Sequence, residues 1–340
     1  MDCELKELLF SLCAQTGVSG DEYHAAKKAA DELSKYMPCS IDAMGNVIGH
    51  KDGKGTHILL DAHIDRIGFV VTGVDDSGFV KVACCGGMDM RVLSAQSVTV
   101  YGDKPYFGVI ASTPPHLQKE KSNKAREADE LVLDMGLSAE YAKKHISPGD
   151  RATVNGAQFC QGDGIAVSPA IDDRAGVAAI LETLEILSKK GTDCELSVVF
   201  SVQEEVTGLG AQTGAYKANP DEAIVIDVSF AKTPDISEAG IGKAGSGALI
   251  GISPAIDRDM FDSLKNTAQK EGISYQIEVM GGRTGTNLDN IVKTRGGVKC
   301  ALVSIPMKYM HTTVEAVRIS DIKSCAEIIA GYISERGKIQ

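Results

Sequence analysis

Residues 171–205 read IDDRAGVAAILETLEILSKKGTDCELSVVFSVQEE, and this stretch decides the fold class. Its first half carries apolar side chains at helical spacing, namely Val177, Ile180, Leu181, Leu184 and Leu187. Two lysines and Gly191 then follow, which is typical of a helix end. From Cys194 to Val202 the residues are mainly apolar and rich in β-branched side chains, which predicts a strand buried on both faces. A helix that leads into a buried strand indicates an α/β fold.

Acidic side chains stand at both ends of this helix–strand unit. Asp172 and Asp173 lie at the predicted helix N-terminus, where anions are favoured. Glu204 and Glu205 follow the predicted strand, at the edge of an α/β sheet where ligands usually bind. Because converging carboxylates repel one another, they need shared protons or cations, and a divalent metal ion is the commonest solution.

Other ionisable residues follow apolar strands in the same way. His63 and Asp65 stand two residues apart at a strand end, a spacing that lets a carboxylate orient a metal-bound imidazole. Asp227 and His311 each come just past a further apolar strand. Two imidazoles and several carboxylates suit zinc, cobalt or manganese, and one carboxylate can bridge two ions about 3.5–4 Å apart. The sequence therefore predicts a metal site that collects these side chains.

The composition limits the partners and the location of the protein. The 35 Lys and Arg residues against 46 Asp and Glu give a net charge of -11, which argues against nucleic acid or an anionic membrane as the main partner. No apolar run reaches the roughly 18 residues that a membrane span needs. The N-terminus has no basic, cleavable signal segment, so we expect a cytoplasmic protein. The nine cysteines are scattered and odd in number, which predicts free thiols.

The segment 68–163 differs from the chain around it. Short strand-like pieces alternate with turns, which predicts a small all-β module. Within it, residues 114–130 are charged and poor in apolar side chains, so we expect a mobile excursion there. Because the chain on both sides reads as α/β, we predict one discontinuous domain, 1–67 and 164–340, with the β module inserted into it.

The order of the candidate residues resembles that of a known enzyme family. The chain contains, in sequence, His63-x-Asp65, Ile171-Asp172-Asp173-Arg174-x-Gly176, Glu204-Glu205, Asp227 and His311-x-x-x-Glu315. This pattern resembles the dinuclear metallo-aminopeptidases of the tetrahedral (TET) type, a family that includes bacterial glutamyl aminopeptidases and proteins once labelled cellulase M. The resemblance runs over nearly the whole chain. It implies a mixed sheet flanked by helices, as in zinc exopeptidases, with the insertion folded as a small β-barrel.

The resemblance also implies a cofactor and an assembly. Asp172 would bridge two divalent ions per subunit, zinc or cobalt with manganese as a further option. His63 and Asp227 would complete one metal site, and Glu205 and His311 the other. The β module would be a dimerisation domain, and the dimers would assemble into a hollow dodecamer with inward-facing sites.

The implied reaction is the release of N-terminal residues from peptides. Glu204 would be the general base, which takes a proton from a metal-activated water and returns it to the leaving amine. Asp65 would hold the ring of His63. A cis peptide bond is implied between Asp172 and Asp173.

The loop before residue 288 holds the candidate substrate contacts Arg283, Thr286 and Asn287. This chain has Gly285-Thr286-Asn287 where relatives have Gly-Thr-Asp, which removes a negative charge that could face a substrate amine. Arg283 either selects acidic side chains or is an ordinary exposed loop residue. Arg66 also follows Asp65 where relatives usually carry Glu, which changes the local charge without touching a ligand.

Two other functions fit parts of the pattern. A glucan-cleaving glycoside hydrolase needs only two carboxylates flanking a sugar bond, and no histidine ligands. This chain has no Trp and only 5% aromatic residues for stacking against sugars, which disfavours that function. A catalytically weak cage or binding protein would instead keep the ligands as structural staples.

Overall fold

The computed structural model describes residues 2–112, 130–162, 164–234, 236 and 241–337. The excursion predicted at 114–130 therefore lies outside the described residues, apart from Glu130. The first part of the chain contains α1 (Asp2–Cys13), α2 (Tyr23–Leu33), β1 (Cys39–Ile41), β2 (Val47–Lys51) and β3 (His57–His63). The inserted part contains β4 (Gly68–Val74), β5 (Val80–Cys85), a short 3-10 turn (Met90–Val92), β6 (Ser97–Tyr101), β7 (Pro105–Ile110), β8 (Val132–Asp134), α3 (Ala139–His145) and β9 (Arg151–Val154).

The remaining elements return to the first part of the chain. They are β10 (Phe159–Gln161), β11 (Ile165–Ser168), α4 (Ile171–Lys190), β12 (Glu195–Ser201), α5 (Leu209–Ala218), β13 (Glu222–Phe230), β14 (Ala248–Ile252), α6 (Arg258–Glu271), β15 (Tyr275–Val279), α7 (Leu288–Ile291), β16 (Lys299–Lys308), β17 (Glu315–Arg318) and α8 (Ile319–Arg336).

A mixed sheet forms the larger body. Its main strand order is β1-β2-β12-β3-β13-β16-β17-β11-β10, and β14 pairs with β15 and β16 beside this path. The central strands β12, β3, β13 and β16 are parallel, whereas β2, β14 and β17 pair antiparallel to their neighbours β12 and β16. Because parallel strands end at the same edge, residues that follow β12, β3 and β13 meet there. The predicted mixed sheet with flanking helices is confirmed.

The stretch 171–205 folds as predicted. α4 is buried along most of its length and packs against α8, α1 and the sheet. Gly191 ends the helix with φ of 77°, and its N–H donates to the carbonyl oxygen of Leu187. A positive φ of this kind favours glycine because no Cβ clashes with the backbone. β12 is buried on both faces from Leu196 onward, which confirms the strand prediction.

The inserted part closes into a separate barrel. Its strands follow the order β4-β5-β8-β7-β6-β9, and they enclose a second hydrophobic core that includes Phe69, Val98 and Leu133. The predicted barrel is therefore confirmed, but the module is not purely β because it contains α3. Ser138 caps this helix by accepting a hydrogen bond from the backbone N of Tyr141. β10 lies within the predicted range 68–163 yet pairs with β11 of the large sheet.

Two simpler expectations concern the cysteines and the membrane. All nine cysteines are free thiols, as predicted. Across the described ranges, no helix combines the length and the apolar character needed to cross a bilayer.

Candidate metal centre

The C-terminal edge of the parallel strands carries a cluster of imidazoles and carboxylates. His63 ends β3, Asp227 lies in β13, and Asp172 stands at the entry to α4. Glu205 follows β12, and His311 lies in the loop between β16 and β17. The structure thus brings together the five side chains predicted as metal ligands.

Asp172 lies between the two imidazoles. Its Oδ1 is 3.0 Å from Nε2 of His63, and its Oδ2 is 3.3 Å from Nε2 of His311. On the far side, Nε2 of His311 is also 3.3 Å from Oε2 of Glu205. One carboxylate therefore presents a separate oxygen atom to each half of the cluster.

The half of the cluster around His63 contains further carboxylates. Nε2 of His63 is 3.9 Å from Oδ1 of Asp227 and 4.0 Å from Oε2 of Glu204. Asp173 joins this half, because its ligand atoms, those of His63 and those of Asp227 lie within 4.8 Å of one another. The sequence placed Asp173 among the converging carboxylates, but the ligand set implied by the resemblance contains Asp172 and not Asp173. Its neighbour Asp172 was the obvious candidate, and the motif alone does not show where each carboxylate points.

The backbone between Asp172 and Asp173 is a cis peptide bond, as the resemblance implied. Both residues have non-helical dihedral angles, so the regular turns of α4 begin after them. They stand at the N-terminus of α4, as predicted, although its regular turns begin only after them. They form an irregular entry that turns their side chains toward the sheet edge.

Asp65 connects three segments around His63. Its Oδ1 is 3.4 Å from Nδ1 of His63, which places it where it can orient the ring. The hydroxyl of Ser19 donates to its Oδ2 at 2.5 Å, and the backbone N–H groups of Glu204 and Glu205 donate to its two oxygens. The sequence did not indicate Ser19, since it lies 46 residues before Asp65 and belongs to no motif.

Glu315 fixes the other half of the site. Its Oε2 accepts hydrogen bonds from the backbone N of Ile171 and Asp172, and its Oε1 accepts one from the backbone N of His311. One buried carboxylate thus holds both the bridging residue and a distant ligand in place. The motif contains Glu315, but nothing in the sequence indicated this role.

Burial and mutual repulsion shift the pKa values in the cluster. Burial raises the pKa of Asp227 and of Glu205 well above their usual values, and neighbouring carboxylates raise both further. Burial would lower the pKa of His63, but hydrogen bonds to Asp172 and Asp65 outweigh it and raise that pKa. The carboxylates therefore outnumber the cationic groups that could neutralise them.

This donor set fits divalent metal ions. Ligands at about 2.0–2.1 Å from a shared tetrahedral ion lie about 3.3 Å apart, close to the separations of Asp172 and Glu205 from the imidazoles. Oε1 of Glu205 and Oδ2 of Asp173 are buried and have no hydrogen-bond partner among the described residues. Imidazole and carboxylate donors together suit zinc, cobalt or manganese.

The predicted substrate residues occupy three different environments. Thr286 lines a cavity together with His63, Asp172, Glu204 and His311. Arg283 is exposed and borders an adjoining cavity that also contains Glu204. Asn287 is buried, and its Nδ2 donates to Oδ1 of Asp61 and to Oγ of Ser201. Asn287 thus anchors the loop through two buried hydrogen bonds. Contact of Arg283, Thr286 and Asn287 with substrate stays a prediction.

The barrel also borders the cluster. Gly87, which follows β5, lines the same cavity as His63, and a Cβ at this position would lie 3.3 Å from Nδ1 of His311. Arg66, Ile67 and Leu93 line a second cavity with Glu205 and His311. The walls around the candidate site therefore come from both parts of the chain.

Known proteins share this architecture. The family model for M42 glutamyl aminopeptidases matches residues 45–328. A lysyl aminopeptidase from Pyrococcus furiosus is 28% identical over 339 residues, covering 97% of this chain and 96% of the relative. The structure of an aminopeptidase from the archaeon Desulfurococcus kamchatkensis superposes with a TM-score of 0.92 at 32% identity, covering 98% of this chain and 95% of that one.

A third similar protein is a peptidase that can form a shell. The TET1 peptidase of Pyrococcus horikoshii, which can assemble into a tetrahedron or a large octahedral shell, superposes with a TM-score of 0.86 at 29% identity. The match covers 97% of this chain and 99% of that one. The fold and the site therefore define an aminopeptidase. The chain belongs to the M42 glutamyl aminopeptidase family, which confirms the resemblance found in the sequence.

Proposed function

We propose that the protein is a metal-dependent aminopeptidase that holds two divalent ions, zinc, cobalt or manganese, in each subunit. The observation that carries this proposal is the position of Asp172, whose two oxygens face two different imidazoles at 3.0 and 3.3 Å. His63 and Asp227 would hold one ion with Asp172, and Glu205 and His311 the other. Such ions, when bound, lower the pKa of water and polarise a carbonyl group.

Glu204 is the proposed general base. Its Oε2 lies 4.0 Å from Nε2 of His63, whereas Oδ1 of Asp172 lies 3.0 Å from the same nitrogen. The Glu204 carboxylate therefore borders the cluster without making its shortest contact to this imidazole. The backbone N–H of Glu204 donates to Asp65 at 2.9 Å, which fixes the residue beside the ring that Asp65 orients. In this role the carboxylate takes a proton from the attacking water and passes it to the nitrogen of the leaving amine.

Peptides are the proposed substrates, and Thr286 and Arg283 are the proposed contacts on the cavity wall. Release of a single N-terminal residue requires recognition of the free amine, and the excess of carboxylates offers that amine a partner. The family membership supports an exopeptidase over the glucanase alternative.

An assay with a chelator separates these alternatives. Aminoacyl-p-nitroanilides should be cleaved, and the rate should fall on chelation and return with Zn²⁺ or Co²⁺. Carboxymethylcellulose should not be cleaved. A glucanase would give the opposite result and would ignore the chelator.

The Glu204→Gln variant tests the base and the silent-cage alternative together. We expect it to retain bound metal and to lose about 10²–10⁴-fold in kcat, the usual worth of a positioned acid–base group. Glu140→Gln, which makes the same charge change at an exposed position of α3, is the matched control. Retained metal with an unchanged peptidase rate would exclude Glu204 as the base.

We also propose that the protein self-associates through the barrel, with a dodecamer as the complete assembly and the cytoplasm as its location. The shell described for the TET1 peptidase supports the assembly. Phe107 on β7 supports the interface, because its large apolar side chain is 75% exposed. Phe107→Ser should reduce the mass measured by light scattering, whereas Tyr23→Ser, at an exposed aromatic of α2, should not. Unchanged mass in both variants would place the interface elsewhere.

A further inference from the structure

A second cluster of histidines lies at the opposite end of the same strands. β12 runs between β2 and β3, and the register pairs Glu195 with His57 and Ser197 with His50. Glu195 and Ser197 project from the same face of β12, because residues two apart in a strand lie on one side of the sheet. The sheet therefore gathers two imidazoles, one carboxylate and one hydroxyl on a single face.

The spacing within this cluster resembles that of metal ligands. Oε1 of Glu195 lies 3.5 Å from Nδ1 of His57 and 3.6 Å from Nε2 of His50. These separations are too long for good hydrogen bonds, which are about 2.7–3.2 Å. They are close to the distance of about 3.3 Å between two ligands of one tetrahedral ion. In the catalytic cluster, Nε2 of His311 is 3.3 Å from Oε2 of Glu205, slightly closer than these pairs.

Ser197 orients both rings. Its Oγ is 2.8 Å from Nε2 of His57 and 3.2 Å from Nδ1 of His50. A hydroxyl oxygen has two lone pairs and can accept an N–H from each ring. In that tautomer Nδ1 of His57 and Nε2 of His50 each have a free lone pair on the side of Glu195, where the two rings and the carboxylate can share a cation. This is how the partners of metal-bound histidines select the tautomer.

The surroundings of the cluster favour a bound cation. Oδ1 of Asp52 is 3.3 Å from Nε2 of His50, which adds a second carboxylate beside the cluster. Oδ2 of Asp221 accepts a hydrogen bond from the backbone N of His57, which adds a third carboxylate nearby. The His57 side chain is 12% exposed and that of His50 is 45% exposed, so an ion can reach the cluster from solvent.

We propose that His50, His57 and Glu195, assisted by Asp52, bind a divalent first-row transition ion of the zinc class. This distal site and the catalytic cluster share strand β3, which begins at His57 and ends at His63. The seven residues from His57 to His63 make six steps of about 3.3 Å, so the two sites are about 20 Å apart. The distal site does not depend on the proposed peptidase function.

Zinc binding tests the proposal in a full-length chain that carries His63→Ala and His311→Ala, which removes both imidazoles of the catalytic cluster. After dialysis against Zn²⁺, we expect about one bound ion per chain, because His50, His57 and Glu195 form a single set of ligands. Addition of His50→Ala should weaken that binding by more than about tenfold, because it removes one of two imidazole ligands. Lys51→Ala, at the next exposed residue of β2, should not weaken it.

Copper(II) provides an independent readout. Electron paramagnetic resonance of the same chain should show coupling to two imidazole nitrogens, and to one after His50→Ala. Circular dichroism checks folding. If the double variant does not fold, the total zinc content of otherwise unaltered chains is compared, and His50→Ala should lower it by about one ion per chain. Absence of zinc binding, or binding that His50→Ala leaves unchanged, would show that these residues form only a hydrogen-bonded network.

Discussion

The two ends of β3 carry a histidine each, and they differ in how completely the fold encloses them. His63 is 2% exposed, and Asp65, Asp172 and the loop after β12 surround it. His57 also has a carboxylate and a hydroxyl beside it, but its neighbour His50 is open to solvent. The first site is held by contacts among segments far apart in the chain, and the second by the register of three adjacent strands. Enclosure of this kind is what catalysis requires, whereas binding an ion requires only convergent donors.

The largest effect should come from Asp172, the carboxylate between His63 and His311. Asp172→Asn should lower kcat/KM by more than about 10³-fold, because the several kcal/mol supplied by the ions is lost with their shared ligand. Metal analysis should show fewer than the two ions proposed for the intact site. Asp31→Asn on the exposed side of α2 is the control and should keep full activity. A variant that keeps both its ions and its activity would contradict the bridging role.

A smaller loss should follow from Asp65→Asn. This change leaves every proposed ligand in place but weakens the orientation of His63, so metal affinity should fall by about 10–100-fold. Titration with Zn²⁺ against a competing chelator measures it. At the distal site, Ser197→Ala removes the orienting hydroxyl and should weaken binding in the same direction. If Asp65→Asn binds as tightly as the original chain, ring orientation does not limit the site.

Substitution of Asn287, which anchors the loop before α7, should lower the free energy of unfolding more than it lowers the catalytic rate. Asn287→Ala leaves Oδ1 of Asp61 and Oγ of Ser201 without their common donor, and both atoms are buried. The free energy of unfolding should fall by about 1–3 kcal/mol, measured by urea denaturation. Asn266→Ala, at an exposed position of α6, should change it by less than about 0.5 kcal/mol. Equal values for the two variants would mean that the buried amide contributes nothing.

The smallest effect should come from the distal cluster when no metal is present. His50→Ala alters a half-exposed side chain, so in a chelator its free energy of unfolding should stay within about 0.5 kcal/mol of the original value. Added Zn²⁺ should then stabilise the original chain more than this variant, because an ion that binds only the folded state raises its stability. A large loss in the chelator would instead assign His50 a structural role.

The sequence predicted those parts of the site that follow from local pattern. Strand ends are visible as apolar runs, so the residues alone place His63, Glu205 and Asp227 at one edge of the sheet. The contact of Ser19 with Asp65 and those of Glu315 with Ile171 and Asp172 could not be predicted, because they span 46 residues and 143 or more residues without any periodic signal. α3 was also missed, since seven residues are too few for a clear helical period.

The burial of Asn287 illustrates a second limit. Its motif position indicated contact with substrate, which stays a prediction. Its hydrogen bonds to Asp61 and Ser201 come from tertiary packing that a motif does not show. The distal cluster was missed for a related reason. His50, His57 and Glu195 become neighbours only through the register between β2, β12 and β3, and a pairing register cannot be read from one strand alone.

The attachment of His311 to Glu315 has a consequence for when the enzyme can become active. His63 and His311 are separated by 248 residues (311 - 63), and the backbone clamp that holds the later one is made by β17, which comes later still. During synthesis, a ribosome would therefore have released most of the polypeptide before the last donor could join the first. A partly synthesised chain would therefore lack part of the proposed metal site.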